Sequence, residues 1–131
     1  MKLKIFITKN ILEQSKNCSK SDLMVGQNCA IGLAIYALFG NKSWVSGNSI
    51  TIFERSVITN LDFMQNSTVS QINLPPNAID FIGQFDKLTS EQKIKMEPIS
   101  FDIEIPEKIV DMLGLTYIHQ VIELQPQLEL A

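Results

Sequence analysis

Between two prolines, Pro98 and Pro106, the chain alternates apolar and polar side chains without interruption. The apolar positions are Ile99, Phe101, Ile103 and Ile105, and the polar positions between them are Ser100, Asp102 and Glu104. Because successive side chains of a strand point to opposite faces, this pattern predicts a β-strand with one buried face and one acidic, solvent-exposed face. A sheet with one wet face is typical of antiparallel strands covered by helices on the other side.

Two segments are predicted to form the main helices, at about residues 28–40 and 75–87. In the first, Asn28 is a suitable N-cap and Gly40 a suitable C-terminal stop. The residues between them are apolar on all sides, so we expect this helix to be buried. The second begins with two prolines, which the first helical turn tolerates, and carries an apolar stripe along one face.

The remaining pattern predicts a first strand at residues 2–8, a hairpin over 44–53, a short helix from 106 to 113 and a last strand at 115–124. This order lacks strict strand–helix–strand alternation. It predicts an α+β fold: a single compact domain with a small, largely antiparallel sheet packed by the two main helices. A chain of 131 residues suffices for one such domain. We expect residues 1–105 to form its core and residues 106–131 a C-terminal helix–strand extension of the same domain.

The charge of the chain is modest overall but unevenly distributed. The formal net charge is −3, whereas general nucleic-acid binders carry a basic surplus, so nucleic acid is not an expected partner. Residues 1–20 hold five lysines against one glutamate, and residues 96–131 hold seven acidic residues against one lysine. Such segments either lie side by side or face water, or else they serve head-to-tail assembly or the binding of an anionic ligand.

Other functional classes leave no signature in the sequence. The most apolar stretch, residues 29–39, would extend only about 16 Å as a helix, which is too short for a membrane span. No export signal is recognisable, so we expect a cytoplasmic protein without membrane contact. The two cysteines, Cys18 and Cys29, have neither a disulfide framework nor zinc-ligand spacing, and we expect no metal and no cofactor.

One pair of residues suggests covalent catalysis. Cys29 would lie in the first turn of the buried helix, where the helix dipole stabilises a thiolate, and His119 is the single histidine of the chain. Cysteine hydrolases of the papain-like type combine a helix-start cysteine with a histidine on a later strand. The orienting Asp or Asn after His119 is missing, however, and the apolar neighbours of Cys29 equally suit a buried core cysteine.

An anion site is the second possibility. Glycine-rich phosphate loops are absent, but the helix start at Asn28 together with Lys4 and Lys9 provides donors for a phosphate-like group. Asp102 and Glu104 share the wet face of their strand, which is a geometry available to an acid–base pair and equally typical of a solvated surface.

Four segments resemble a family of small uncharacterised proteins encoded by bacteriophages and prophages. They are residues 29–34, the hairpin at 45–52, the helix block at 74–86, which begins Leu-Pro, and the strand start at 98–101. The resemblance covers about residues 1–105, with its most specific block at 74–86. Ala30 replaces the family's proline after the cysteine, and residues 106–131 extend beyond its usual end. The resemblance implies a compact α+β fold and a viral context, and it implies no activity.

Together these observations predict a non-enzymatic, phage-type accessory protein that acts by binding. It would counter host defence by sequestering a small anionic, nucleotide-like ligand at Asn28, Lys4 and Lys9, or by blocking a host defence protein. A homo-oligomer is expected, since ligand pockets often form between subunits. The alternatives are a cysteine hydrolase that uses Cys29 and His119, and a structural component of virion assembly.

Overall fold

The computed structural model describes residues 1–17, 30–57 and 60–131. Their helices are α1 (Lys9–Ser15), α2 (Ala30–Phe39), α3 (Asn60–Gln65), α4 (Pro76–Asp86), α5 (Ser90–Lys93), α6 (Glu107–Leu113) and α7 (Leu115–Leu124). Their strands are β1 (Lys2–Ile7), β2 (Ser43–Val45), β3 (Ser49–Phe53), β4 (Thr68–Asn73), β5 (Ile99–Glu104) and β6 (Leu128–Leu130). The predicted α+β fold, with antiparallel strands and main helices near residues 28–40 and 75–87, is confirmed.

The first sheet is built around β1, which lies between β5 and β6 and pairs antiparallel with both. Leu3 and Ile5 of β1 face the core and are fully buried. The outer face of β1 bears Lys4, which stands opposite Asp102 of β5 on one side and Glu129 of β6 on the other. The basic start and the acidic end of the chain therefore lie side by side in one sheet, and cross-strand pairing of opposite charges is favourable.

The second sheet has the order β2–β3–β4 and contains the predicted hairpin. The strands thus form two three-stranded antiparallel sheets, a division that the sequence pattern did not indicate. Helix α2 contacts both β1 and β2, so one apolar helix packs against both sheets. The sequence predicts that this helix is apolar on all sides and therefore buried. Its packing against both sheets explains that pattern, and Ala34 and Ile35 have no exposed surface.

The segment from 115 to 124 forms a helix, so the prediction of a last strand was wrong. β-branched residues at 116, 118, 121 and 122 suggested a strand. Their spacing nevertheless places Ile118, Val121 and Ile122 on one face of α7, with Ile118 fully buried and the other two partly buried against the core. Gly114, with φ +88°, separates α6 from α7, and the chain then forms its last strand at Leu128–Leu130.

Within the described residues, no helix combines the length and the apolar character that crossing a membrane requires.

Candidate binding site

One groove in the described part of the chain runs between helix α4 and the segment that leads into β5. It has a volume of about 530 Å³. From α4 and the residues directly after it come Asn77, Asp80, Phe81, Gln84, Lys87 and Leu88; the opposite wall consists of Met96, Glu97 and Ile99. Intervals of three and four residues bring the α4 side chains to one face of the helix. The volume lies within the range typical of ligand pockets.

The floor of this groove is apolar. Phe81 is buried, and its ring stacks on that of Phe85 with 5.7 Å between the ring centroids. Leu88, Met96 and Ile99 are only partly buried, so each presents apolar surface to the open side of the groove. Partly exposed apolar surface of this kind gains free energy when a ligand removes it from water.

Hydrogen bonds hold the two walls in place. The Asn77 side chain donates from Nδ2 to the carbonyl oxygen of Ser100 at 2.9 Å, which ties the start of α4 to β5. Lys9 donates from Nζ to the carbonyl oxygen of Met96 at 2.7 Å, which ties α1 to the opposite wall. Both contacts join elements that are far apart in sequence, so each restrains one side of the groove.

The turn between the walls is ordered by a capping box. Thr89 Oγ1 accepts from the Gln92 amide at 3.3 Å, and Gln92 Oε1 accepts from the Thr89 amide at 3.0 Å. This reciprocal pair begins the short helix α5. Lys93, at the end of α5, is buried, with its Nζ 4.6 Å from the centroid of the Phe85 ring. A cation over an aromatic face is attracted to it, so this contact fixes the turn against α4.

The rim of the groove is polar and carries more negative than positive charge. Asp80, Gln84, Lys87 and Glu97 are all exposed around the apolar floor. Asp80 and Lys87 are seven residues apart, which corresponds to about 10 Å along the helix axis. Asp80 and Glu97 outnumber Lys87, and the described residues of the lining include no Cys, Ser, Thr or His side chain that could act as a nucleophile or an imidazole base. The arrangement suits binding of an apolar group that has a polar or cationic neighbour.

The residues predicted to bind an anion have other surroundings or fall outside the described chain. Lys4 lies mid-strand on β1, with Asp102 and Glu129 as its cross-strand neighbours. Lys9 lies at the start of α1 and donates to Met96, at the back of the groove wall. Asn28 lies outside the described residues. Anion binding by these three residues stays a prediction, although two carboxylates beside Lys4 lower the local positive potential.

The catalytic alternative is described only in part. Cys29 lies outside the described residues. His119 lies on the exposed side of α7, so its predicted location in a strand was wrong. Asp102 and Glu104 are exposed side chains on the outer face of β5, away from the groove floor. Among the described residues, no group of three or more His, Cys, Asp and Glu side chains is placed to hold a metal ion.

The groove was not predicted from the sequence. The apolar stripe of the segment at 75–87 predicts a helix, and this stripe packs into the core. A second pattern was present: Asn77, Asp80, Gln84 and Lys87 repeat at intervals of three, four and three residues, and together they form a polar stripe along the same helix. That stripe borders Phe81, and its alignment with the segment at 96–99 follows from tertiary packing alone.

Comparison of the chain with protein-family models, with curated proteins and with solved structures found no match.

Proposed function

We propose that this protein acts by binding, and that the groove beside α4 holds an apolar segment of a partner protein with a basic residue next to it. The observation that carries the proposal is the open groove of about 530 Å³, whose apolar floor is surrounded by exposed polar side chains. Protein-binding grooves gain affinity from apolar side chains that leave water and gain specificity from the charges at their rim.

The rim charges favour this occupant over a small anion. Asp80 and Glu97 attract a cationic side chain, whereas Lys87 alone would have to balance the charge of a phosphate. Of the two modes of action expected from the sequence, blocking a protein therefore fits the groove better than sequestering a nucleotide. Hydrogen bonds from Asn77 and Lys9 preform the walls, which lowers the entropic cost of binding.

The biological context is also part of the proposal. The resemblance of residues 74–86 to small phage and prophage proteins supports a phage-encoded accessory protein in the cytoplasm of the host cell, where it would block a defence protein. The block that carries this resemblance includes the helix that lines the groove, so the site and the context involve the same segment.

Self-association is proposed as well. Met112, Leu115 and Leu124 expose 43%, 53% and 77% of their surface on α6 and α7, outside the groove. A second copy of the chain would cover these apolar side chains. Native mass spectrometry of the wild type and of Leu115→Lys tests this part separately: loss of a dimer in the variant supports it, and a monomeric wild type at micromolar concentration contradicts it.

The groove itself is tested with defined peptides. Two matched sets of fluorescein-labelled eight-residue peptides carry Leu, Ile, Phe or Met at the two central positions; one set is flanked by Arg and the other by Glu. We expect fluorescence polarisation to show tighter binding of the Arg-flanked set. Adding salt should reduce this preference, because salt screens exposed charges.

Variants identify the site of binding. Met96→Arg should abolish binding by placing a long charged side chain in the groove, and Asp80→Asn combined with Glu97→Gln should remove the preference for Arg flanks. Glu91→Gln, an exposed change on α5 outside the groove lining, is the matched control and should change nothing. Equal binding of the Glu-flanked set would contradict a role of the rim charges, and full binding by Met96→Arg would show that the groove is not the site.

A further inference from the structure

A second cleft, lined by a different set of residues, lies between α1, α2 and the turn that joins α7 to β6. Its volume is about 390 Å³. We propose that this cleft binds an uncharged nucleobase, as a free nucleoside, independently of the groove beside α4. The proposal rests on three properties of the cleft: the type of its polar groups, the lack of charged side chains among the described residues that line it, and one exposed aromatic ring.

The polar groups of the cleft are carboxamides. They belong to Asn10 and Gln14 of α1 and to Gln125 and Gln127 of the turn after α7. A carboxamide offers a hydrogen-bond donor and an acceptor side by side. The edges of nucleobases present the complementary pair, and the two-bond contact of Asn or Gln with adenine is the best-known example. Four such groups around one cleft of this size therefore favour a heteroaromatic ligand with several donors and acceptors.

Much of the hydrogen-bonding capacity of these carboxamides is available to a ligand. Gln127 donates from Nε2 to Oε1 of Gln125 at 3.1 Å. This contact uses the oxygen of the Gln125 carboxamide and neither of its two amide hydrogens. In the described part of the chain, the side chains of Asn10 and Gln14 make no hydrogen bond to protein, and both are exposed. A base can thus replace water at these groups without breaking an intramolecular network.

The other lining residues decide the class of ligand. Ile11, Leu33, Ala37 and Pro126 supply apolar surface, and among the described residues that line the cleft there is no Lys, Arg, His, Asp or Glu. A phosphate would find no compensating charge there, so the cleft suits a nucleoside better than a nucleotide. Tyr36 has 45% of its surface exposed at this cleft, and an exposed ring is a platform on which a base can stack.

The walls of the cleft are tied to each other by hydrogen bonds. The Tyr117 hydroxyl of α7 donates to the carbonyl oxygens of Ala37 and Leu38, at 3.1 and 3.2 Å, and so joins α7 to the end of α2. On the other side, the amide of Phe6 in β1 donates to the carbonyl oxygen of Gln127 at 2.9 Å. These contacts hold the carboxamides of the turn at a set place relative to Tyr36, as a preorganised binding site requires.

Adenosine is the probe that tests this proposal. In ¹⁵N-labelled protein the side-chain NH₂ groups of Asn10, Gln14, Gln125 and Gln127 give separate NMR signals. We expect these signals to shift and saturate as adenosine is added. Tyr36→Leu, which keeps apolar surface but removes the ring, should raise the Kd about tenfold or more, as expected for loss of one base–aromatic stack.

A matched pair of glutamine variants separates the two sites. Gln14→Met removes one carboxamide from this cleft and should weaken adenosine binding, whereas Gln84→Met alters only the rim of the groove beside α4 and should leave it unchanged. Gln14→Met should leave peptide binding at the groove beside α4 unchanged, so failure of one proposal is visible independently of the other. Unshifted NH₂ signals at millimolar adenosine, an unchanged Kd in Tyr36→Leu, or tighter binding of AMP or of a hexose than of adenosine would each overturn the inference.

Discussion

The C-terminal segment offers the sharpest test of the structure, because two aliphatic residues of the same helix differ completely in exposure. Ile118 of α7 is fully buried, whereas Leu124, at the end of α7, has 77% of its surface exposed. Truncation to Ala removes three carbon atoms at each position and suits a helix. Any difference between Ile118→Ala and Leu124→Ala in the free energy of unfolding therefore reports on packing.

The magnitude follows from burial. Three buried carbon groups at about 0.8 kcal/mol each amount to roughly 2.4 kcal/mol, and the cavity left at position 118 adds to that loss. We expect Ile118→Ala to lower the free energy of unfolding by about 3 kcal/mol. Leu124→Ala changes little that is buried, so its effect should stay within about 0.5 kcal/mol.

Urea unfolding followed by the fluorescence of Trp44, the single tryptophan, measures both effects. With an m-value of about 2 kcal/mol per M, Ile118→Ala should lower the midpoint by about 1.5 M. Far-UV circular dichroism confirms that both variants fold in the absence of urea. If Ile118→Ala costs less than about 1 kcal/mol, or no more than Leu124→Ala, then α7 is not packed on the core as described.

Four further predictions concern local structure. Gly83→Ala should stabilise the protein by about 0.5–1 kcal/mol because Gly83 lies inside α4 and a Cβ there meets nothing within 4 Å. Gly114→Ala should cost about 1–3 kcal/mol of stability, since φ at Gly114 is +88°. The melting temperatures of the two glycine variants should therefore shift in opposite directions from that of the wild type. Shifts of the same sign would contradict the backbone conformation described for these two glycines. Thr89→Ala removes the oxygen that accepts from the Gln92 amide and should cost about 1 kcal/mol, whereas Thr89→Ser retains most of that stability; equal losses in chemical denaturation would argue against the capping box. His119→Ala should leave stability within about 0.5 kcal/mol of the wild type, because His119 is exposed on α7; a larger drop in melting temperature would mean that its side chain is packed.

Short-range patterns were sufficient for much of the fold. The alternation from Ile99 to Ile105 corresponds to β5 and the residue after it, with Phe101, Ile103 and Ile105 buried. The hairpin around residues 44–53 and the start of α4 after the prolines also follow from local sequence. The segment at 115–124 shows where this reasoning fails. Its β-branched residues favour a strand, but packing of Ile118 against the core favours the helix, and tertiary packing outweighs intrinsic propensity.

The sites depended on contacts between distant segments. The groove beside α4 requires residues 77–88 and 96–99 to meet, and the second cleft requires α1, α2 and the turn at 125–127 to meet. No recognised ligand-binding motif includes these residues, and no local pattern indicates which distant segments will meet to form either site. Lys4 and His119 were predicted as site residues because of their chemical type, and the type of a side chain does not determine which residues lie beside it after folding.

The sequence by itself determined the α+β class, the buried helix at 30–39 and the location of most strands, because periodicity and turn residues act over a few neighbouring positions. Only the tertiary structure decided that the strands divide into two sheets, that Lys4 lies between Asp102 and Glu129, and which distant segments line the two clefts. The physical reason is that strand pairing and cleft formation depend on the burial gained by the whole chain. That gain is a sum over contacts between distant segments, and no short stretch of residues contains it.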